Sequence, residues 1–273
     1  MVFLMFPIEY FIGLILIGIV AGFASGLLGI GGGFLIVPLQ YFLLQYIGVE
    51  PDLAMLISLG TSLAIIIPTS MSGAYRHTRK LDNILQPGIR LGIFGIIGAI
   101  FGGYAASLLP YRVLEIIFAI LLLFVAVNNL INVDRERNNA VFQLTLPVAA
   151  VFGVLVGFLS GLLGIGGGVF MISVLTMLLG FSMIEAIGIS SVFISLTAIG
   201  GFLSYVVSGW GVSTFPYSIG YVSIINLVVI ALFSVPFASI GASLSHKISQ
   251  KKLKIVFSIL LFYMAFKMFG VLP

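Results

Sequence analysis

Charged and turn-forming residues interrupt the chain at intervals and leave ten apolar stretches between them. They lie near 10–29, 33–47, 54–75, 88–108 and 113–131, then near 141–164, 168–180, 186–206, 215–245 and 255–271. A hydrocarbon core about 30 Å thick needs about 20 apolar residues per helical crossing. The pattern therefore predicts an all-α polytopic membrane protein with roughly eight to ten crossings. Two stretches are short: Phe34–Ile47 and Val169–Gly180 reach about 21 and 18 Å as helices, less than a full crossing. The stretch at 215–245 is long enough to predict a bent helix, with Pro216 and Pro236 as candidate bends.

Composition narrows the class further. Hydrophobic residues make up 61% of the 273 positions and charged residues 7%, against roughly 25% charged in a soluble domain. Mean hydropathy is +1.29. Nucleic-acid binders, secreted scaffolds and soluble enzymes are excluded at this point. Cysteine is absent, which removes disulfides, thiolate nucleophiles and Cys-bound metals. The N-terminus, MVFLMFPIEYF, lacks the positive region of a cleaved signal and is kept in the fold.

The basic residues give an orientation. Arg76, Arg79, Lys80 and Arg90 flank one loop, Arg135 and Arg137 sit in the central linker, and Lys247, Lys251, Lys252 and Lys254 share a third loop. Placing these loops in the cytoplasm puts ten of the twelve basic residues inside and leaves Arg112 and Lys267 outside. Glu50 and Asp52 then face outward, and both termini of this multi-pass cell-membrane protein lie outside. Lys267, near the C-terminal end, is expected to snorkel outward.

Two passages match almost letter for letter. Gly22–Gly33 reads GFASGLLGIGGG and Gly157–Gly168 reads GFLSGLLGIGGG, differing only at Ala24 and Leu159. Weaker echoes join Gly60-Thr61-Ser62 to Ile189-Ser190-Ser191, and RVLEIIF from Arg112 to KKLKIVF from Lys251. The chain reads as a first membrane repeat at 1–132, a cytoplasmic linker at 133–140 and a second repeat at 141–273. The loop after the third stretch is basic while its counterpart, Ser208–Pro216, is uncharged. Leu109–Arg112 corresponds in turn to the lysine-rich His246–Lys254. Equivalent loops thus fall on opposite sides, so the halves are inverted. Secondary transporters are often built this way, with sites near the midplane at the repeat interface.

Short, glycine-interrupted segments at matching places in two halves point to such a site. Triple glycine is a poor helix former, and unwound backbone at that depth is tolerated only when buried or lining a cavity. Each motif therefore predicts a broken or re-entrant helix, with a second helix starting near Gly33 or Gly168. Its N–H groups and positive dipole end favour an anion. One terminus contributes up to about 2 kcal/mol, whereas dehydrating a small anion costs several, so two converging termini and nearby hydroxyls are needed. The candidate ligands are Ser25, Gly31, Gly32 and Gly33 with Thr61 and Ser62, and Ser160, Gly166, Gly167 and Gly168 with Ser190 and Ser191. Gly22, Gly26 and Gly29, at spacings of four and three, fit close helix packing instead.

Other chemistries are disfavoured. No strand precedes the motif and no Lys-Ser/Thr follows it, unlike a nucleotide loop. The stretches at 10–29, 33–47, 54–75, 141–164, 168–180 and 186–206 hold no acidic or basic residue. Arg112 and Glu115 sit near the outer end of the fifth, and Glu185 at the inner end of the eighth. His77 and His246 lie at basic cytoplasmic edges. This leaves no proton relay of the usual kind, no catalytic group, and no expected cofactor or metal. The partners expected are a small anionic substrate and the lipid bilayer, with no nucleic acid.

These motifs carry a resemblance to the sulfite exporter TauE/SafE (TSUP) family: GLLGIGGGFLIVP at Gly26–Pro38, its copy GLLGIGGGVFMIS at Gly161–Ser173, LGTSLAIIIPTSMSGAYRH at Leu59–His77, and the closing KLKIVFSILL. The resemblance spans essentially the whole chain. It implies a prokaryotic membrane transporter of sulfur-containing anions such as sulfite, sulfonates or sulfoacetate. Pro38 and Thr61 are replaced by Ser173 and Ser190 in the second half, so the halves are expected to contribute unequally. The resulting expectation is a secondary transporter for organosulfur or sulfur oxyanions, working as an exporter because an inside-negative potential drives anions outward. Its rivals are an anion channel and an ion-coupled uptake permease.

Overall fold

A computed structural model describes residues 6–28, 32–79, 81, 83–131, 142–244 and 250–271. The linker at 133–140, Gly29 and Gly31 of the first motif, Lys80, His246 and Lys247 lie outside the described residues. Ten helices follow in order: α1 Ile8–Leu28, α2 Gly33–Tyr46, α3 Pro51–Thr78, α4 Leu85–Leu108, α5 Tyr111–Ile131, α6 Leu146–Leu163, α7 Gly168–Met177, α8 Met183–Ser208, α9 Ile224–Leu244 and α10 Gln250–Met268. Among the described residues, six helices are long and apolar enough to cross a membrane: α1, α3, α4, α6, α8 and α9. This is an all-α multi-pass membrane protein.

The stretch at 215–245 is not one bent helix. Pro216 lies in the loop before α9, and a small hairpin intervenes, pairing β1 (Ser218–Ile219) with β2 (Val222–Ser223). Hydropathy counts this region as apolar, but its turn chemistry ends the helix: Tyr217 and Gly220 take left-handed φ of 54° and 56°. A methyl at Gly220 would come 2.2 Å from the Val206 carbonyl oxygen, so only glycine lets the turn sit on α8. The Ser223 N–H donates to the Thr61 hydroxyl at 3.0 Å, pinning the hairpin to α3. Pro236 does fall inside α9. Glu185 belongs to a capping box, its carboxylate accepting from the Ser182 N–H at 2.9 Å at the start of α8.

Helix α4 is inside-out relative to a helix of a soluble bundle. On α4 the buried positions include Gly88, Gly92, Gly95, Gly98, Ala99, Gly102 and Gly103, while Ile93, Ile97, Phe101 and Tyr104 are exposed. Lipid is as apolar as leucine, so it does not drive large side chains inward. Close backbone packing of small residues holds the helices together instead. Along α6, Gly153, Gly157 and Gly161 abut the α4 carbonyls of Leu91, Gly95 and Ala99. Along α1, Gly18, Gly22 and Gly26 abut the α9 carbonyls of Ile230, Ser234 and Ala238. Gly22 and Gly26 are thus packing glycines, as their spacing suggests. A methyl on Gly102 would lie 2.0 Å from the Phe158 carbonyl oxygen. Gly102→Val is therefore expected to lower stability by about 1–3 kcal/mol or more, read as a lower thermal midpoint in detergent.

The contact registers also give direction. Both glycine seams run parallel, α1 with α9 and α6 with α4. The central pair α3 and α8 is antiparallel, with Gly60 beside Tyr205 at one end and Gly188 beside His77 at the other. Near Asp52, the Asp52 carboxylate accepts from the Tyr111 N–H at 2.9 Å. Buried Glu115 accepts from the Tyr41 hydroxyl at 2.7 Å and pairs with Arg112 at 2.9 Å. Lys267 places its ammonium 4.8 Å from the Phe42 ring centre, a cation–π contact with α2.

Candidate substrate site at the glycine motifs

In each half the short second segment runs back along the helix before it. Gly32 lies beside the Ala21 carbonyl and Leu43 beside Gly13, so α2 returns along α1. Ala21 is thirteen residues beyond the start of α1, which puts the beginning of α2 about 20 Å along that helix. In the second half Gly167 lies against Val156 and Ser160, and the Phe142 N–H donates to the Leu178 carbonyl at 2.9 Å, so α7 returns along α6. The second motif needs glycine for its shape: Gly164, Gly166 and Gly167 have φ of 65°, 77° and 74°. Gly32, by contrast, has an ordinary φ of −78°.

The two breaks meet. A methyl on Gly33, the first residue of α2, would lie 2.8 Å from the Ile165 Cα and 3.1 Å from the Gly164 carbonyl oxygen. Helix α3 threads the junction, its Leu59 against Gly164 and its Ile66 against both Gly33 and Gly166. The start of α2 thus packs against the turn between α6 and α7, three residues before α7 begins at Gly168. The first-turn N–H groups of α2 and α7 are the donors a helix leaves open. On α7 the Met171 N–H closes onto the Gly167 carbonyl at 2.9 Å.

Hydroxyls surround this junction. Ser160 is fully buried and its hydroxyl has no partner among the described residues, with its Cβ 3.2 Å from where a Gly167 methyl would sit. The Ser190 hydroxyl donates to the Gly168 carbonyl at 3.5 Å, and Thr197 donates to the Gly166 carbonyl at 3.2 Å. The Thr197 hydroxyl also has the Phe193 and Ile194 carbonyls of its own helix at 3.1 Å, so its proton is shared between the helix and the motif. Beside the first motif lies a cavity of about 10 Å³, large enough for about one water, lined by Ser25, Gly32, Ile36, Ile65, Thr69 and Ser234 among others.

The remaining candidates separate. Thr61 holds the hairpin rather than a motif. Ser191 donates to the Ile187 carbonyl of its own helix at 2.8 Å and faces Gly73. Ser62 is fully buried with no partner for its hydroxyl among the described residues. Sequence reasoning missed Thr197. The available signal is its spacing of seven from Ser190, which puts both on one face of α8.

Every side chain named at the junction is uncharged, which leaves backbone N–H groups, hydroxyls and helix dipoles as its polar chemistry. Among the described residues no group of three His, Asp or Glu side chains can hold a metal. Membrane-crossing helices packed around an uncharged polar centre suit a membrane transporter. The chain belongs to the sulfite exporter TauE/SafE family, whose model matches residues 14–268. It is 35% identical over 257 residues to a probable membrane transporter protein of Haemophilus influenzae, covering 93% of this chain and 96% of that one. A probable membrane transporter protein of Methanocaldococcus jannaschii is 34% identical, covering 91% of each chain. The probable membrane transporter protein YunE of Bacillus subtilis is 25% identical, covering 92% and 94%. No solved structure matches the chain significantly.

Proposed function

We propose that the protein is a secondary transporter that exports small sulfur-containing anions, with sulfite, sulfonates and sulfoacetate as the substrate class. The family's description points to this class. The observation that carries the reading is the packing of the α2 start at Gly33 against the α6–α7 turn at Gly164 and Ile165, which leads into the start of α7 beside the unpartnered Ser160 hydroxyl. Two termini supply up to about 4 kcal/mol between them, enough with hydroxyls to offset a useful part of the dehydration cost. Gly32, Gly33, Gly166, Gly167, Gly168, Ser160, Ser190, Ser25 and Ser62 are the proposed binding residues, near the membrane midplane. Two inverted repeats, 1–132 and 141–273, carry the site. The two glycine seams support this: Gly18, Gly22 and Gly26 match Gly153, Gly157 and Gly161 at the motif's own offset, and both seams run parallel. The Asp52 end is assigned to the outside, with both termini, by the basic loops.

A water-sized cavity does not admit a sulfur oxyanion until helices part, which favours a carrier over a channel. Purified protein in liposomes is expected to release sulfite, thiosulfate or sulfoacetate, but not chloride, in a saturable manner. The rate should rise with an imposed potential negative on the side of origin, since 100 mV is worth about 2.3 kcal/mol per charge. Ohmic current without saturation would favour the channel, and flux only with a cation gradient the uptake permease.

A further inference from the structure

Three fully buried side chains on the first motif's side of the bundle, on α2, α3 and α9, have polar atoms with no partner among the described residues: both amide atoms of Gln40, the Ser62 hydroxyl and the Asn226 amide nitrogen. Burying such groups unpaired is costly, and native structures rarely keep them without a ligand or an ordered water. Their positions are related. Ile36 of α2, Ile65 and Thr69 of α3, and Ser234 of α9 line the cavity beside Gly32. Gln40 is four residues beyond Ile36, Ser62 is three before Ile65, and Asn226 is eight before Ser234. Each therefore stands on the cavity-facing side of its helix, one or two turns nearer the Asp52 end. The Asn226 side-chain oxygen accepts from the Tyr10 hydroxyl of α1, which leaves its N–H₂ as the open group.

No such column flanks the second motif. The register of the repeats puts Leu175 where the first half has Gln40, Ala198 where it has Thr69, and Ser191, turned toward Gly73, where it has Ser62. The glycine seams likewise place Pro87 opposite Asn226 and Gly95 opposite Ser234.

We propose that Gln40, Ser62 and Asn226, continuing into Ser25, Thr69 and Ser234, form an asymmetric substrate track between the α1–α2 hairpin, α3 and α9. The second motif contributes its helix start and Ser160 but has no track of its own. The open groups are neutral donors plus one acceptor, the Gln40 carbonyl, whichever way that amide is turned. They suit an oxyanion that itself carries an O–H or N–H, such as a protonated sulfur oxyanion or an amino-sulfonate. The track rests on the transport reading above and assigns its specificity to the side of the first motif.

The test uses full-length protein in liposomes, with sulfite and taurine as probes of flux and of ligand-dependent thermal shift. Gln40→Leu and Ser62→Ala remove atoms that have no protein partner, so their thermal midpoints should equal or exceed wild type. Flux and thermal shift should fall about tenfold or more, the scale of one lost hydrogen bond to an ion. Wild-type flux and shift in both variants would overturn the track, as would a lowered midpoint in both, which marks a structural role. Ser160→Ala separates the two levels of the argument. Loss of flux there with normal Gln40→Leu and Ser62→Ala condemns only the track. A wild-type protein that neither moves nor is stabilised by any tested anion overturns the transport reading and the track with it.

Discussion

Gly167→Leu is expected to abolish anion flux while the protein still inserts into the membrane. Gly167 caps α7 at a φ of 74°, a conformation that costs an ordinary residue about 1–2 kcal/mol. Its flanks offer little relief, because a Cβ there would lie 3.1–3.2 Å from Val156, Phe193 and Ser160. The leucine must displace the start of α7 or cover the Ser160 hydroxyl, and either removes the donors that face the first motif. A loss of 100-fold or more corresponds to about 3 kcal/mol, within reach of one misplaced helix start and one hydroxyl. The companion change Gly32→Ala separates site from fold. Gly32 has a right-handed φ, and its methyl would lie 3.2 Å from the Ala21 carbonyl oxygen at the edge of the water-sized cavity. Its thermal midpoint should stay near wild type while flux falls. Full flux in Gly32→Ala would take the site away from the first motif.

The contrast between these glycines shows what the sequence could and could not reveal. Triple glycine announces a helix break in each half, and α2 and α7 do begin at Gly33 and Gly168. It does not say which glycines need a left-handed backbone: the second copy uses three, whereas Gly32 of the first uses an ordinary conformation. Nor does hydropathy see turn chemistry. The apolar stretch at 215–245 hides a hairpin because Phe215, Tyr217, Ile219, Tyr221 and Val222 score as membrane residues, while Pro216 and Gly220 end the helix. Ser190 and Ser191 were inseparable as a pair, yet neighbours on a helix point about 100° apart, and only Ser190 reaches the motif. Glu115 marked a segment end by charge, but its burial and its bond from Tyr41 depend on where α2 returns, which is tertiary information. The same holds for Gln40 and Asn226, whose open amides become visible only once four helices enclose them.

A disulfide between α3 and α8 is expected to stop transport reversibly. If the halves rock against each other, α3 and α8 must shift, because this antiparallel pair joins the first half to the second along most of its length. Ser195 donates to the Ser70 hydroxyl across the pair at 3.1 Å, close enough for paired cysteines to approach the Cβ separation of about 3.5–4.5 Å that a disulfide needs. The chain contains no cysteine of its own, so Ser70→Cys with Ser195→Cys forms one defined crosslink. Oxidised protein in liposomes should retain a few per cent of the flux or less, reduction should restore it, and each single variant should be unaffected by oxidant. The site itself is not touched, since the motif hydroxyls Ser160, Ser190 and Thr197 remain. Full flux with the crosslink formed would mean that α3 and α8 stay fixed during transport. Movement would then be confined to the hairpins α1–α2 and α6–α7, and a gated pore through the junction at Gly33 and Ile165 would explain the protein better than rocking halves.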